Sequence, residues 1–135
     1  MLELKFKKPV YEDANGVKGP VDTHEFREGQ NTTIRKGTKW DIKPFGVTQK
    51  GVSSLVRLID ADNGEKIGIG YITDTYSKPF NQLKSMDLAC EHDANLTDLR
   101  ELYKRMVSLY RNFRKNSIVT IVNFNYHYDK ETVGE

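Results

Sequence analysis

The clearest local signal in the chain is a pair of β-prone segments separated by a short turn. Residues 54–59 and 66–72 are rich in β-branched and apolar residues, and Asn63-Gly64 lies between them. An Asn-Gly pair between two such segments indicates a β-hairpin, because both residues tolerate the positive φ angles of a tight turn. The second segment also contains two glycines, Gly68 and Gly70. Glycine inside a strand indicates a bulge or a close approach of another group to the backbone.

One long amphipathic helix is predicted over residues 96–113, with Asn95 as its N-cap and Asp98 in its first turn. Its apolar residues recur at i, i+3, i+4 and i+7 and form a stripe that should face the core. That stripe consists of Leu99, Leu102, Tyr103, Met106, Tyr110 and Phe113. A shorter helix is predicted within residues 79–90. Three apolar residues have helical spacing there: Phe80, Leu83 and Met86.

Most of the remaining chain favours strands. Residues 2–8 alternate polar and apolar side chains like an edge strand, and residues 117–128 predict a strong closing strand. Residues 32–36 form a short β-prone run, residues 40–46 a turn, and residues 11–23 a loop or irregular excursion. The order of elements predicts a small α+β protein whose sheet curls into a barrel with helices packed on its flank.

The size and composition of the chain fit one domain over residues 1–135. Its lone cysteine, Cys90, excludes an intrachain disulfide and a multi-cysteine zinc site, which favours a reducing compartment. No apolar segment approaches the roughly 20 residues that span a bilayer, and the N-terminal residues are typical of a strand and not of a signal peptide. We therefore expect a cytoplasmic protein with no membrane partner.

The three histidines, His24, His92 and His127, are far apart in the sequence and form no close-spaced ligand pair. No metal and no cofactor are expected on this basis.

Positive charge is concentrated in the predicted long helix, although the net charge of the whole chain is only +2. A basic stripe lies beside the core stripe and consists of Arg100, Lys104, Arg111 and Lys115. Such a stripe is a solvated face in most helices, and cations late in a helix also suit the helix dipole. The alternative interpretation is an auxiliary surface for an anionic partner such as a nucleic acid.

Residues 29–44 concentrate cations, hydroxyls and the only tryptophan in one segment. The candidate nucleic-acid contacts in it are Thr33, Arg35, Lys36, Trp40 and Lys43. Arginine and lysine bind phosphate, and an indole ring stacks on a base. Each residue also has a structural alternative: a surface ion pair for the cations, strand formation for Thr33, and core packing for Trp40.

Glu91 and His92 form the cluster best suited to acid–base chemistry, with Asp93 beside them. A carboxylate next to an imidazole can exchange protons near neutral pH or hold a base edge. The competing interpretation is that these acids start an Asx-turn or favour the following helix N-terminus.

In this order the motifs resemble the ASCH domain, a branch of the PUA-like superfamily of pseudo-β-barrels. The family signature is a Gly-Lys-Lys-Thr-x-Thr-Ile-Arg run followed by a turn of Lys-Pro-Gly-Asp character. Residues 29–35 are similar to the first motif and residues 40–46 to the second. Later segments continue in the family's order: 67–70, 80–83, 87–92, the long helix and 119–124. The resemblance covers about residues 25–128.

The resemblance implies a small PUA-like pseudo-β-barrel with one long and one or two short flanking helices, and a cleft that binds RNA or a nucleotide. Some bacterial members resemble amidohydrolases of acetylated cytidine that use a lysine, a threonine and a glutamate. The matching threonine is Thr33, and the glutamate position falls on Glu91, or on His92 if the gap lies one residue later. The lysine position holds Gln30, which cannot carry a proton or act as a nucleophile.

The first hypothesis is therefore a monomeric module that binds RNA or single-stranded nucleic acid. Phosphates are expected along Arg35, Lys36 and Lys43, and a base near Thr33, Trp40, Glu91 and His92. The alternative is an enzyme on the same cleft, a hydrolase of a modified nucleoside or a ribonuclease, with Thr33 and Glu91 as catalytic residues. A third hypothesis is a protein-interaction factor that has lost its ligand, which the Gln30 departure favours.

Overall fold

The computed structural model describes residues 2–8, 10–12, 14–20, 24, 26–41 and 55–126 of the chain. The strands are β1 (Leu2–Phe6), β2 (Val10–Glu12), β3 (Lys18–Pro20), β4 (Gly29–Lys36), β5 (Leu55–Asp60), β6 (Lys66–Pro79) and β7 (Ile118–Tyr126), and the α-helix is α1 (Leu99–Leu109). Short 3-10 helices at Phe80–Gln82, Ser85–Leu88 and Ala94–Thr97 lie between β6 and α1. Among the described residues, no helix is both long and apolar enough to cross a bilayer.

Five strands form one mixed sheet in the order β1-β5-β6-β7-β4. β1 pairs in parallel with β5, while the other neighbours are antiparallel, and β6 extends over 14 residues so that it pairs with both β5 and β7. The register shifts between Leu58 and Ile59 and again between Ile72 and Asp74. Such bulges bend the strand and increase its twist, and the sheet curls accordingly.

The curled sheet is closed by contacts between its two edge strands and the segment before α1. A parallel bridge joins Thr32 of β4 to Glu91, and His92 N donates to Thr32 O at 2.9 Å. On the other side, Arg35 Nη1 of β4 donates to Lys5 O of β1 at 2.7 Å. The result is a half-barrel with one α-helix on its flank, which confirms the predicted α+β pseudo-barrel.

The sheet has a hydrophobic cluster on each face. The inner cluster fills the barrel and consists of Leu4, Phe6, Val56, Leu58, Ile72, Val122 and Phe124. The outer cluster lies between the sheet, α1 and the 3-10 helices, and consists of Ile34, Phe80, Leu83, Leu88, Leu102, Met106, Phe113, Val119 and Ile121. Because both faces are covered, buried residues run almost continuously along β4 and β7.

The central hairpin is confirmed as β5 and β6, with Gly64 at φ 76° in its turn. The close-approach interpretation of the two glycines also holds. A Cβ at Gly68 would lie 2.8 Å from the Tyr126 ring, and one at Gly70 would lie 3.2 Å from the Phe124 ring. The bulge interpretation holds as well at Gly68, because the hairpin register shifts directly beside it, between the pairs Leu58–Gly68 and Ile59–Lys66.

The predicted helix boundaries need correction at both ends. α1 begins after Asp98, whose carboxylate accepts hydrogen bonds from the N–H groups of Arg100 and Glu101, so Asp98 and not Asn95 is the N-cap. The helix ends at Leu109 because Tyr110 adopts an extended conformation. The apolar spacing continued to Phe113 because that residue packs on the same cluster from a non-helical turn.

Residues 79–90 contain two 3-10 helices instead of a short α-helix, since Leu83 and Lys84 between them are extended. This interruption leaves Met86 in solvent with 78% of its surface exposed, whereas Phe80 and Leu83 are buried. Residues 11–23 were expected to be irregular, yet β2 and β3 pair there as a separate two-stranded sheet.

Candidate functional site

A cavity of about 200 Å³ lies where β1, β4 and α1 meet, beside the contacts that close the barrel. The residues around it that carry chemistry are Phe6, Thr33, Arg35, Glu91, His92 and Tyr110. Four of these, Thr33, Arg35, Glu91 and His92, belong to the residues predicted from the sequence. The fold therefore brings together two candidate motifs that are almost 60 residues apart in the chain. We call this cavity the edge pocket.

Glu91 is held in the edge pocket by its own backbone. Its carbonyl accepts a hydrogen bond from Arg27 Nη2 at 2.5 Å, and its bridge to Thr32 fixes the direction of the segment. The side chain is buried, with 1% of the residue exposed. Its Oε1 lies 2.5 Å from His92 Nδ1, whereas its buried Oε2 has no hydrogen-bond partner among the described residues. Such an unpaired buried acceptor is costly, and a donor from a ligand would satisfy it.

The His92 ring is fixed between the same carboxylate and two phenyl rings. Its Nδ1 is 3.2 Å from Thr32 O in addition to the Glu91 contact, and both of these oxygens are acceptors when the carboxyl group is ionised. Nδ1 therefore carries the proton in that state. Phe26 stacks on the ring at 5.6 Å, and Phe6 meets it edge-on at 4.8 Å.

Thr33 and Arg35 lie on the same face of β4 because side chains alternate along a strand. Arg35 Nε donates to Thr33 Oγ1 at 3.1 Å, and the guanidinium lies 4.7 Å from the centre of the Phe6 ring. Burial lowers the pKa of the Arg35 guanidinium, while Tyr110 and Glu91 act in the opposite direction. The group remains charged, since arginine does not lose its proton in proteins.

The edge pocket carries an excess of positive charge. Beside Arg35 it is lined by Lys5, Lys7 and Arg105, against the two acids Glu91 and Asp93. Lys5 and Lys7 are solvent-exposed, so they lie at its mouth and not at its floor. The arrangement offers one hydrogen-bond acceptor inside and several cations outside.

Other candidates of the 29–44 segment lie away from the edge pocket. Lys36 follows Arg35 on the opposite face of β4, and its Nζ donates to Arg111 O at 3.2 Å. Trp40 is half-buried and packs against the inner cluster, in keeping with its core interpretation. Gln30 is exposed and does not line the pocket. Lys43 falls outside the described residues.

The basic stripe of α1 does not form one surface. Arg100, Lys104 and Lys115 line a separate hollow, whereas Arg111 lies beyond the end of the helix and accepts the Lys36 contact through its carbonyl group. The role of these residues as an auxiliary surface for a nucleic acid remains a prediction.

Within the described ranges, no three histidine, cysteine or acidic side chains group closely enough to hold a metal ion. His24 instead pairs with Asp60, with Nε2 2.8 Å from Oδ2, and His127 lies outside those ranges.

Several residues of the edge pocket were not among the predicted site residues. Lys5 lies on β1 and Lys7 just after it, and β1 comes close to β4 only because the curled sheet brings its two opposite edges together. Arg105 lies beside the predicted apolar stripe of α1, and Tyr110, a member of that stripe, follows the end of the helix. Whether the two line this pocket depends on how the helix packs against the sheet. The sequence did contain one signal for Lys5 and Lys7. They alternate with Phe6, so both cations lie on one face of the chain at a barrel edge.

No protein-family model matches the chain, and the curated proteins contain no match to it. The fold is similar to the crystal structure of protein EF3133 from Enterococcus faecalis V583, described by the family model DUF984. The TM-score is 0.45 and the sequence identity 11%, over 73% of this chain and 68% of that chain. At this distance the likeness carries no argument about function, and the ASCH resemblance remains a prediction from the sequence motifs.

Proposed function

We propose that the edge pocket binds one nucleotide unit of RNA or another single-stranded nucleic acid, with the base inside and the phosphates at the mouth. The observation that carries the proposal is the buried Glu91 carboxylate, whose Oε2 has no donor among the described residues. Nucleobases present N–H donors on their Watson–Crick edges, and such edges are free in single strands. The ASCH resemblance of the sequence supports the same class of ligand.

The dimensions of the edge pocket suit a single base. A cavity of about 200 Å³ is too small for a duplex but accommodates one splayed-out base. Phe6, His92 and Tyr110 supply aromatic surface around it. The described residues of one chain supply this lining, so we take a monomer as the binding unit.

The cations at the mouth account for affinity in this proposal. Lys5 and Lys7 are exposed at the opening, and the half-buried Arg35 and Arg105 line the pocket. Each phosphate that such a group neutralises adds to the salt dependence of binding. On a single strand the slope of log K against log salt changes by about −0.7 per neutralised phosphate. This proposal requires no protein partner.

The first test compares Glu91→Gln with the unchanged protein in a fluorescence anisotropy titration with labelled single-stranded RNA and DNA of one sequence. Removing the carboxylate should weaken binding about 10-fold, which corresponds to about 1.4 kcal/mol, because one acceptor is lost. Glu65→Gln, which changes an exposed glutamate in the hairpin turn, is the matched control and should bind like the unchanged protein. Equal affinities for both variants, with unchanged melting temperatures, would refute the proposed site.

A second candidate function is a hydrolase of a modified nucleoside such as acetylcytidine. The observation that favours it is the 2.5 Å contact between Glu91 Oε1 and His92 Nδ1, beside the buried hydroxyl of Thr33. A carboxylate and an imidazole in contact can move a proton during hydrolysis. The family lysine is still missing, because Gln30 is exposed and outside the pocket lining.

Incubation with acetylcytidine followed by chromatography separates the two candidates. Turnover that is lost in Glu91→Gln would make the edge pocket an active site, whereas salt-sensitive binding without turnover supports the binding module. If the protein neither binds single-stranded nucleic acid nor turns over acetylcytidine, the third hypothesis is favoured, a factor that acts through a protein partner.

A further inference from the structure

A second hollow lies beside the first half of α1. It has a volume of about 360 Å³, and its lining includes Leu99, Arg100, Tyr103 and Lys104 of α1. It shares no lining residue with the edge pocket, which α1 borders through other residues. We call it the helix hollow. It is therefore separate from the site described above.

The floor of the helix hollow is aromatic. Phe80 is buried beneath it, Tyr103 is half-buried, and their ring centres lie 5.6 Å apart. Leu99 completes the apolar surface. Base–aromatic stacking on such platforms contributes about 1–3 kcal/mol per base and tolerates any base.

The rim of the helix hollow is cationic. Arg100, Lys104 and Lys115 are exposed around it, and no acidic residue of the described chain lines it. Lys104 has an exposed partner in Glu101 at 3.3 Å, a type of pair that is weak in water. Lys115 Nζ lies 5.8 Å from the centre of the Tyr103 ring. The hollow thus combines a stacking surface with three cations.

We propose that the helix hollow holds a second nucleotide of the bound single strand, with its base on Tyr103 and its phosphates against Arg100 and Lys104. These two cations lie four residues apart, or about 6 Å along the helix axis, so both can contact one strand. The inference rests on the function proposed above, because it extends the same ligand from the edge pocket. The Phe80 and Tyr103 rings are tilted by 53°, so Tyr103 alone offers a stacking face. An acidic peptide would match the charge but would leave this ring unused, so the observations favour the nucleic acid.

The test uses the double variant Arg100→Gln/Lys104→Gln and a single-stranded RNA of about twelve nucleotides, within the usual range of site sizes. Affinity should fall about 10-fold, and the salt slope should become smaller by about 1.4 because two phosphate contacts are lost. The control is Lys66→Gln/Lys84→Gln, which removes two exposed lysines outside the hollow and should leave both values unchanged. Equal losses in the two double variants, or no loss in either, would overturn the inference.

Backbone amide shifts on titration with the same RNA separate this inference from the proposed function. Shifts at 99–104 and at 91–93 support both sites. Shifts at 99–104 alone uphold the helix hollow and refute the edge pocket, and shifts at 91–93 alone do the reverse. Movement of the 99–104 signals with a polyglutamate peptide but not with RNA would overturn the nucleotide as the occupant.

Discussion

At Arg35, one guanidinium links the two edge strands of the curled sheet and also lines the edge pocket. Nε donates to Thr33 Oγ1 and Nη1 donates to the carbonyl of Lys5 on β1. The buried guanidinium also forms a side-chain hydrogen bond with Tyr110. The sequence predicted the phosphate contact, whereas the link to the other edge strand is a finding of the structure.

We expect Arg35→Lys to lower the free energy of unfolding by about 1–2 kcal/mol, because a lysine ammonium cannot reproduce a planar fork that reaches two acceptors. Urea denaturation measures the change. The control is Arg57→Lys, which makes the same substitution at an exposed arginine 3.4 Å from Glu3. Arg57→Lys should lower the free energy of unfolding by less than about 0.5 kcal/mol. Equal losses for the two substitutions would show that Arg35 does not contribute to closure.

Arg35 and Lys36 show the limit of inference from the sequence at single residues. Both were expected along one line of phosphates, yet side chains alternate along a strand and these two lie on opposite faces of β4. Alternation alone does not say which face borders a cavity. That depended on the bridge from Thr32 to Glu91, which joins residues far apart in the chain.

At the scale of elements, the start of α1 is set by a side-chain cap. The carboxylate Oδ1 of Asp98 accepts from Arg100 N at 2.8 Å, and a 3-10 helix at Ala94–Thr97 precedes it. The sequence predicted Asn95 as the N-cap and placed Asp98 in the first turn. The structure corrects this prediction, since Asn95 belongs to the separate 3-10 helix that precedes Asp98.

Asp98→Ala should destabilise the protein by about 1 kcal/mol, because two helix N–H groups lose their acceptor. Asp98→Asn keeps a capping oxygen and removes the charge. Because only the interaction with the helix dipole is lost, the free energy of unfolding should fall by a few tenths of a kcal/mol. Thermal or urea unfolding measures both variants. If the two variants lose the same amount of stability, the charge of Asp98 and not its capping hydrogen bond stabilises this end of α1.

At the scale of the whole molecule, a buried polar contact links β6 to the 3-10 helix at Ser85–Leu88. Asp87 accepts hydrogen bonds from Tyr76 Oη at 2.7 Å, Lys78 Nζ at 2.9 Å and Lys84 N at 2.8 Å. Burial acts to raise the pKa of Asp87, but the bonds from Lys78, Lys84 and Tyr76 outweigh it and hold the pKa below its usual value. The ionised form is therefore favoured by folding.

The pH dependence of stability follows from this shift. The contribution of Asp87 is fully present above its unfolded pKa of about 3.9 and is lost as the pH falls toward the lower folded pKa. Asp87→Asn should cost about 1–3 kcal/mol near pH 7 and make the decline of stability at acid pH shallower. Urea unfolding between about pH 3 and pH 7 measures this.

Some acid sensitivity should remain in Asp87→Asn, because the hydrogen bond from His24 also lowers the pKa of Asp60. Asp62→Asn, at an exposed position of the hairpin turn, is the matched control and should keep the full acid decline. An acid decline of the same steepness in all three proteins would contradict the role given to Asp87.

The sequence by itself determined the elements whose signals are local: the β5–β6 hairpin through its turn, the closing strand through its β-branched residues, and α1 through its apolar period. It also named Thr33, Arg35, Glu91 and His92, because their side-chain chemistry is independent of fold. Tertiary structure alone decided that these four share one pocket and that Trp40 and Lys36 lie elsewhere. The physical reason is that closure depends on contacts such as Arg35 to Lys5 and Thr32 to Glu91, which form between distant residues once the bulged sheet has curled.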